Sequence, residues 1–470
     1  MNLSLQTMDI KNQKEKILIV LSNDIYIRNY IKTSALLSLE KDFDCHFIAN
    51  CDITIRQELE NKPNFHGYYQ VSELMKIRHQ KIFDTLMYRF RLKSSSFAFR
   101  ILRQTPNFRA VLSYGPKNRA HLRLLKWMVM KPYLIIQRLL LSVDVVYDCY
   151  LNFLKKFIEP NKELRNYIHQ NDYGLVIFPS SAYDVDGIDV VTICNARNMK
   201  SLFLVDNWDN LSSKSILWQK PSHICVWGEQ SRNHAVDIQD FDPTRVSLLG
   251  TPRFDKYFEQ RNQDIASHFN FRYILFVGTA LNFNEERALT VIDEILEKNK
   301  ESWGHLKLIY RPHPWRQNHI AVKESYGKNI ITDPQILLAN NDKSTKHQPN
   351  LDYYAGLLHN AEFLVGGLTT MLIEGLIFHK QFLAIAHDDK KLISNMRNAW
   401  DYFEHFKGLD SVASLKFSFN ENDMEATMID CWTQRESIDK SQIDKDRQWY
   451  LYHDENKYKD RLVKCVNKIL

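Results

Sequence analysis

The sequence predicts an α/β protein built from two Rossmann-like domains that face each other across a cleft. Three observations carry this. Apolar runs of strand length recur along the chain, each ending in a polar or glycine-containing loop, as expected for strands buried on both faces of a parallel sheet. Helix-length amphipathic stretches alternate with them, the βαβ rhythm of a doubly wound fold. The rhythm occurs twice, and 470 residues exceed what one core usually serves.

The first domain opens on Lys16-Ile17-Leu18-Ile19-Val20-Leu21, a buried strand ending at Ser22-Asn23-Asp24. A helix follows from about Ile27, and residues 45–49 form the second strand. From about 71 to 157 the strand signal gives way to amphipathic stretches, a helical insertion. Strands return at 174–178, 201–205, 223–228 and 246–250, with a helix over about 186–198. Thr251-Pro252-Arg253-Phe254-Asp255 leaves the sheet, so the domains are drawn as 1–255 and 256–470. The second domain has strands at 273–279, 306–310, 361–365 and 381–386. Its helices fall at 284–299 and 352–360, and a charged helical stretch covers about 448–470.

Composition narrows the classes. With 44% apolar and 25% charged residues the chain is neither disordered nor collagen-like. Its seven cysteines are scattered, odd in number and free of any C-x-x-C pair, which argues against a zinc knuckle or a disulfide framework and for a reducing cytoplasm. Residues 1–16 are polar and hold no apolar signal core, so secretion is not expected. Residues 76–138 hold 15 Lys or Arg against one acid, Asp84. Such a segment asks for an anionic partner. Charges at Lys126, Lys131 and Arg138 break its apolar runs below the roughly 18–20 residues of a membrane-crossing helix.

Ligands of open parallel sheets bind beyond the carboxyl ends of strands, so the loops there rank first. In Tyr310-Arg311-Pro312-His313-Pro314-Trp315 two prolines stiffen a loop carrying a permanent cation and a histidine. Arg311 can grip a phosphate bidentately and His313 can donate to a phosphate oxygen. The bland alternative is a rigid surface turn. In Val365-Gly366-Gly367-Leu368-Thr369-Thr370-Met371-Leu372-Ile373-Glu374-Gly375 two glycines allow close backbone approach and two hydroxyls sit at a helix start. Glu374 is suited to ribose hydroxyls. Ordinary capping by Thr370 would explain one hydroxyl but not the glycine pair. Gly278-Thr279 after the first strand of this domain is a third lip.

This order of a Gly-Thr loop, an Arg-Pro-His-Pro loop and a Gly/Thr loop–helix with a glutamate resembles the nucleotide-binding half of GT-B glycosyltransferases of bacterial surface-polysaccharide synthesis. It is similar to capsule sialyl- and Kdo-transferases, whose His-Pro motif serves CMP, and to CDP-glycerol glycerophosphotransferases, which carry the same type of loop. The resemblance covers roughly residues 174–386. It implies that His313, Thr369 and Thr370 meet the nucleotide phosphate, that Glu374 meets the ribose, and that no bound metal or cofactor is needed. Gly366-Gly367 departs from the serine-rich loops of those enzymes, which leaves CMP-, CDP- and UDP-linked donors open.

In the first domain, Asp206-Asn207-Trp208-Asp209-Asn210-Leu211-Ser212-Ser213-Lys214 follows a strand. Asn207, Asn210, Ser212, Ser213 and Lys214 can hold sugar hydroxyls and Trp208 a sugar face, although an Asx-turn with a helix cap would also use part of this set. An inverting transfer needs a base. Asp206 or Asp209 leads, then Asp24, with Asp184 and Asp186 behind. The basic insertion interleaves Phe97, Phe99, Phe108, Trp127 and Tyr133 with its cations, the composition of an interfacial helix on anionic lipid. No nucleic-acid motif is present, so nucleic acid is not expected as a partner. The expected function is transfer of a sugar from a nucleotide donor to a glycan or lipid-linked acceptor, peripheral to the inner face of the membrane. The alternatives are a sugar-nucleotide 2-epimerase, a phosphotransferase using CDP-glycerol, and a non-catalytic glycan-binding partner.

Overall fold

The computed structural model describes residues 14–104, 120–180, 185–313, 323–339, 351–388 and 394–470. Phe108, Ser181, Asp184, Pro314 and Trp315 lie outside them, as does most of the polar N-terminus. The first sheet contains β1 (Lys16–Leu21), β2 (Asp44–Asn50), β3 (Phe65–Tyr69), β4 (Leu175–Ser180), β5 (Lys200–Val205), β6 (His223–Val226) and β7 (Val246–Leu248). Its order is β3-β2-β1-β4-β5-β6-β7, and every pairing is parallel. The second contains β8 (Tyr273–Val277), β9 (Lys307–Arg311), β10 (Ile330–Thr332), β11 (Leu364–Gly366), β12 (Phe382–Ile385) and β13 (Leu415–Ser418). Its order is β10-β9-β8-β11-β12-β13, again parallel throughout. Both are doubly wound sheets whose strand order reverses once, between β1 and β4 and between β8 and β11.

The central strands are the apolar runs of the sequence. All residues of β4 and β8 are buried, and β1 is buried after Lys16. Helices cover both faces, as such strands require. The insertion forms as expected, with helices Glu73–Phe90, Ser95–Gln104, Ala120–Leu141 and Asp144–Phe157. Ser72 starts the first of these by accepting from the Met75 amide. Ile82, Leu86, Phe90, Phe97 and Leu154 then bury it against Ile216 and Trp218 of the first domain. Among the described residues no helix is long and apolar enough to cross a membrane.

The domain assignment of 256–470 is corrected at its end. Helix Tyr458–Ile469 packs under the first sheet, where Tyr458, Leu462 and Val466 join the core of β1, β2 and β4. Asp460 accepts from Ser38 at 2.8 Å, and Arg461 Nε donates to the Leu249 carbonyl at 3.1 Å. The chain therefore crosses between the domains twice, after β7 and before this helix.

Candidate functional site

The reversal point of the second sheet opens into a pocket of about 150 Å³ between the domains. Three loops beyond β8, β9 and β11 line it with Gly278, Arg311, His313, Thr369, Thr370 and Glu374, bringing together most of the donor-side residues expected from the sequence. Gly278 sets the geometry. A Cβ there would lie 2.5 Å from the His313 amide nitrogen and 2.9 Å from Pro312 Cα, so only glycine lets the Arg-Pro-His loop cross the end of β8. Thr370 precedes helix Met371–Ile377 without making a side-chain cap bond, so capping does not account for its hydroxyl.

Other members of the set have different work. Arg311 is 6% exposed, and its terminal nitrogens are held by Asp333 and, at 2.8 Å, by Gln335 Oε1. The guanidinium also lies 4.0 Å above the Tyr354 ring. A bidentate phosphate grip by Arg311 is therefore corrected: both arms are engaged, and it braces the strand end and adds charge to the pocket wall. Thr279 is buried and donates to the Leu368 carbonyl at 2.9 Å, joining two loops. Gly366 and Gly367 make room for protein, not ligand. Added Cβ atoms would meet the Val277 carbonyl at 2.3 Å and Met396 Cε at 2.1 Å.

Two cations that the sequence reading passed over complete the pocket. Arg28, from the short π-helix Ile27–Ile31 that follows β1, and Arg253, from the chain leaving β7, both line it. Arg253 Nη2 donates to Glu374 Oε1 at 2.5 Å, so the carboxylate assigned to ribose holds an arginine here. Arg28 Nε donates to Asn29 Oδ1 at 2.9 Å, and Asn29 in turn donates to Asp206 at 3.0 Å. Burial, with Arg253 alongside, drags the Arg28 guanidinium down to about 10 against the opposing pull of Asp206. Two arginines thus crowd one buried pocket with partial compensation, an arrangement that an anion would relieve.

Comparison with solved structures supports the architecture. A protein assigned as a UDP-N-acetylglucosamine 2-epimerase from Listeria monocytogenes matches at a TM-score of 0.51 and 11% identity, over 97% of this chain and 96% of that one. The fold is of the GT-B type. The UDP-GlcNAc 2-epimerase from Methanocaldococcus jannaschii matches at a TM-score of 0.48 and 11% identity, over 96% of this chain and 99% of that one. The wall teichoic acid polymerase TagF matches at 0.40 and 9% identity, over 63% and 73%. No protein-family model matches, and no curated protein matches.

On the first domain the structure separates the three candidate bases. Asp206 sits behind Arg28; burial pushes its carboxyl above its ordinary value although Arg28, Arg253 and Asn29 oppose this. Asp209 pairs with Lys214 at 2.8 Å; burial would raise its carboxyl, but Lys214 and buried His405 together hold it below the ordinary value. Asp24 accepts from the Thr54 amide at 2.8 Å, the Thr54 hydroxyl at 2.6 Å and the Ile55 amide at 3.1 Å, fastening the loop after β2. The platform assigned to Trp208 is corrected as well. The ring is 2% exposed, edge-on to His405, Phe406 and Tyr450, and joins the domains in a shared core. Asn210 and Ser212 are fully buried, and Ser212 and Ser213 hydroxyls both turn back to the Asp209 carbonyl. Asn207 Oδ1 accepts from the Trp208 amide at 3.1 Å, so the local-turn alternative holds for this part of the loop. Among the described residues no group of three His, Cys, Asp or Glu side chains is arranged to hold a metal ion.

Proposed function

We propose that the chain is a sugar-nucleotide enzyme that transfers a glycosyl group from a nucleotide donor, seated in the interdomain pocket, to a glycan or lipid-linked acceptor. The observation that carries this is the convergence of Arg28 and Arg253 with His313, Thr369 and Thr370 around one pocket at a sheet's reversal point. Diphosphate charge met by fixed cations and donors in a buried pocket also stabilises a nucleotide leaving group. Of the three candidate bases, Asp206 is favoured, because it alone couples to this pocket and is not held by a lysine or a loop.

The acceptor side of the reading rests on the insertion. Leu122, Leu125, Val129, Tyr133, Ile136 and Leu140 form a stripe at three- and four-residue spacing on helix Ala120–Leu141, each at least half exposed. With the surrounding cations, this is the pattern of a helix lying in an anionic lipid surface. Sugar-nucleotide 2-epimerisation is the second reading, raised by the near full-length likeness to the Listeria protein. The test is product analysis with UDP-, CDP- and CMP-linked sugars, with and without lipid acceptor. Acceptor-dependent release of nucleotide supports transfer. An isomerised sugar nucleotide formed without acceptor supports epimerisation. CMP released from CDP-glycerol, with phosphorus kept in the product, supports phosphotransfer.

A further inference from the structure

The reversal point of the first sheet, between β1 and β4, holds a second cavity, of about 280 Å³. Ser22, Asn50, Phe178 and Ser180, at or near strand ends, line it from the sheet. Lys76, His79, Gln80 and Phe83, all from helix Glu73–Phe90 of the insertion, line it from the other side. Open α/β sheets place ligands at such reversal points, and the volume lies near the lower end of the roughly 300–1,000 Å³ of small-molecule sites.

One buried polar atom of the lining wants a partner. Ser215 Oγ has none, on a residue only 4% exposed. His79, 8% exposed, is by contrast partnered, with Nε2 3.3 Å from Asp189 Oδ1. Asp189 is itself anchored, accepting from the Asn161 amide at 3.0 Å. Buried polar atoms are paired in the large majority of cases, so the unpaired Ser215 hydroxyl points to a ligand or water that supplies the missing bond.

The electrostatics select its class. No arginine is among the residues lining this cavity, in contrast to the interdomain pocket. Lys76 is held by Asp52 at 2.8 Å and Glu73 at 2.9 Å, and Asp186 adds a further carboxylate. A phosphate would meet repulsion here. Hydroxyl groups would find donors and acceptors in Ser215, His79, Asn50 and Gln80, while Phe83 and Trp218 offer apolar faces to a ring.

We infer that the cavity between the β1 and β4 ends and helix Glu73–Phe90 is a second ligand site, which takes an uncharged, hydroxyl-rich ring of saccharide type. Its identification with the acceptor sugar rests on the proposed glycosyl transfer; the existence of the site does not. The roof helix also contacts the helix bearing the exposed apolar stripe, through Arg138 over the Tyr88 ring at 5.0 Å.

The test is saturation-transfer NMR on the full chain with methyl glycosides of glucose, galactose, mannose, N-acetylglucosamine and N-acetylmannosamine, with and without UDP or CDP. At least one glycoside is expected to give a signal that persists in saturating nucleotide. Gln80→Trp, which sets an indole at the exposed rim, is expected to abolish it. Ser215→Ala is expected to weaken glycoside binding roughly threefold to tenfold without lowering thermal stability, since it removes an unpaired buried hydroxyl. No signal from any glycoside, a signal that survives Gln80→Trp, or one displaced by nucleotide overturns the inference. Loss of the donor reading has a different signature: no nucleotide bound, with the glycoside signal intact.

Discussion

Arg28 is the residue at which stability and binding should part company. Its guanidinium is held at about 10, far below its ordinary value, by burial and by Arg253. At about 1.4 kcal/mol per tenfold change, the charged form is disfavoured by on the order of 3 kcal/mol. Arg28→Met keeps the apolar stem and removes the charge. It also removes the charged hydrogen bond to Asn29, which returns about 2 kcal/mol of that gain. The expected result is a protein as stable as the parent or more so, by about 1 kcal/mol. If the charge exists to meet a diphosphate, the same substitution weakens nucleotide binding by about 2 kcal/mol, roughly thirtyfold. Thermal unfolding and calorimetric titration with UDP and CDP on the same preparations measure both. A variant that loses about 2 kcal/mol of stability and binds nucleotide undiminished would show that Arg28 is a structural partner of Asp206, and would refute the reasoning.

Four further outcomes are expected. Gly278→Ala should displace the Arg-Pro-His loop, because its Cβ has no room beside the His313 nitrogen; stability should fall by about 1–3 kcal/mol and nucleotide affinity with it, read by unfolding and titration. Asp206→Asn should lower turnover by roughly 10²–10⁴ with nucleotide affinity little changed, a split that steady-state kinetics separates. Buried His405 is pushed down to about 3 by desolvation, so below its ordinary value of about 6.5 the unfolded chain takes a proton that the folded one refuses. Its contribution therefore makes stability fall with pH, by about 2 kcal/mol between pH 6.5 and 5, and His405→Gln should flatten that slope in denaturation curves. Placing aspartates at Val129 and Ile136 should abolish flotation with anionic vesicles and leave nucleotide titrations unchanged.

The central strands were legible because each is an unbroken apolar run. The strands that escaped notice, β3, β10 and β13, all lie at sheet edges, where one side meets solvent and residues such as His66 and Lys416 interrupt the run. The donor loops were legible for a related reason: proline and glycine mark the strand ends that a parallel sheet turns toward its ligands. What could not be read was which residues meet across the two domains. Arg28 and Arg253 are single cations on short helical segments, and the visible hint was only that each follows a strand of the first sheet. Trp208 looked available because its partners Phe406 and Tyr450 lie far along the chain in the second domain, and the last helix gave no sign of its return to the first domain because amphipathicity names a buried face but not its neighbour. Arg311 was named for its charge, but Asp333, which neutralises it, stands in a strand-end loop that carries no motif.

The pocket between the domains is tested most directly by calorimetric titration of the full chain with UDP, CDP, GDP and CMP. Saturable binding of at least one nucleotide is expected, lost in the Arg28→Met/Arg253→Met double variant, which still unfolds cooperatively above the temperature of the titration. Absence of binding for all four nucleotides, or binding that the double variant retains in full, would contradict the assignment of this pocket to a sugar nucleotide.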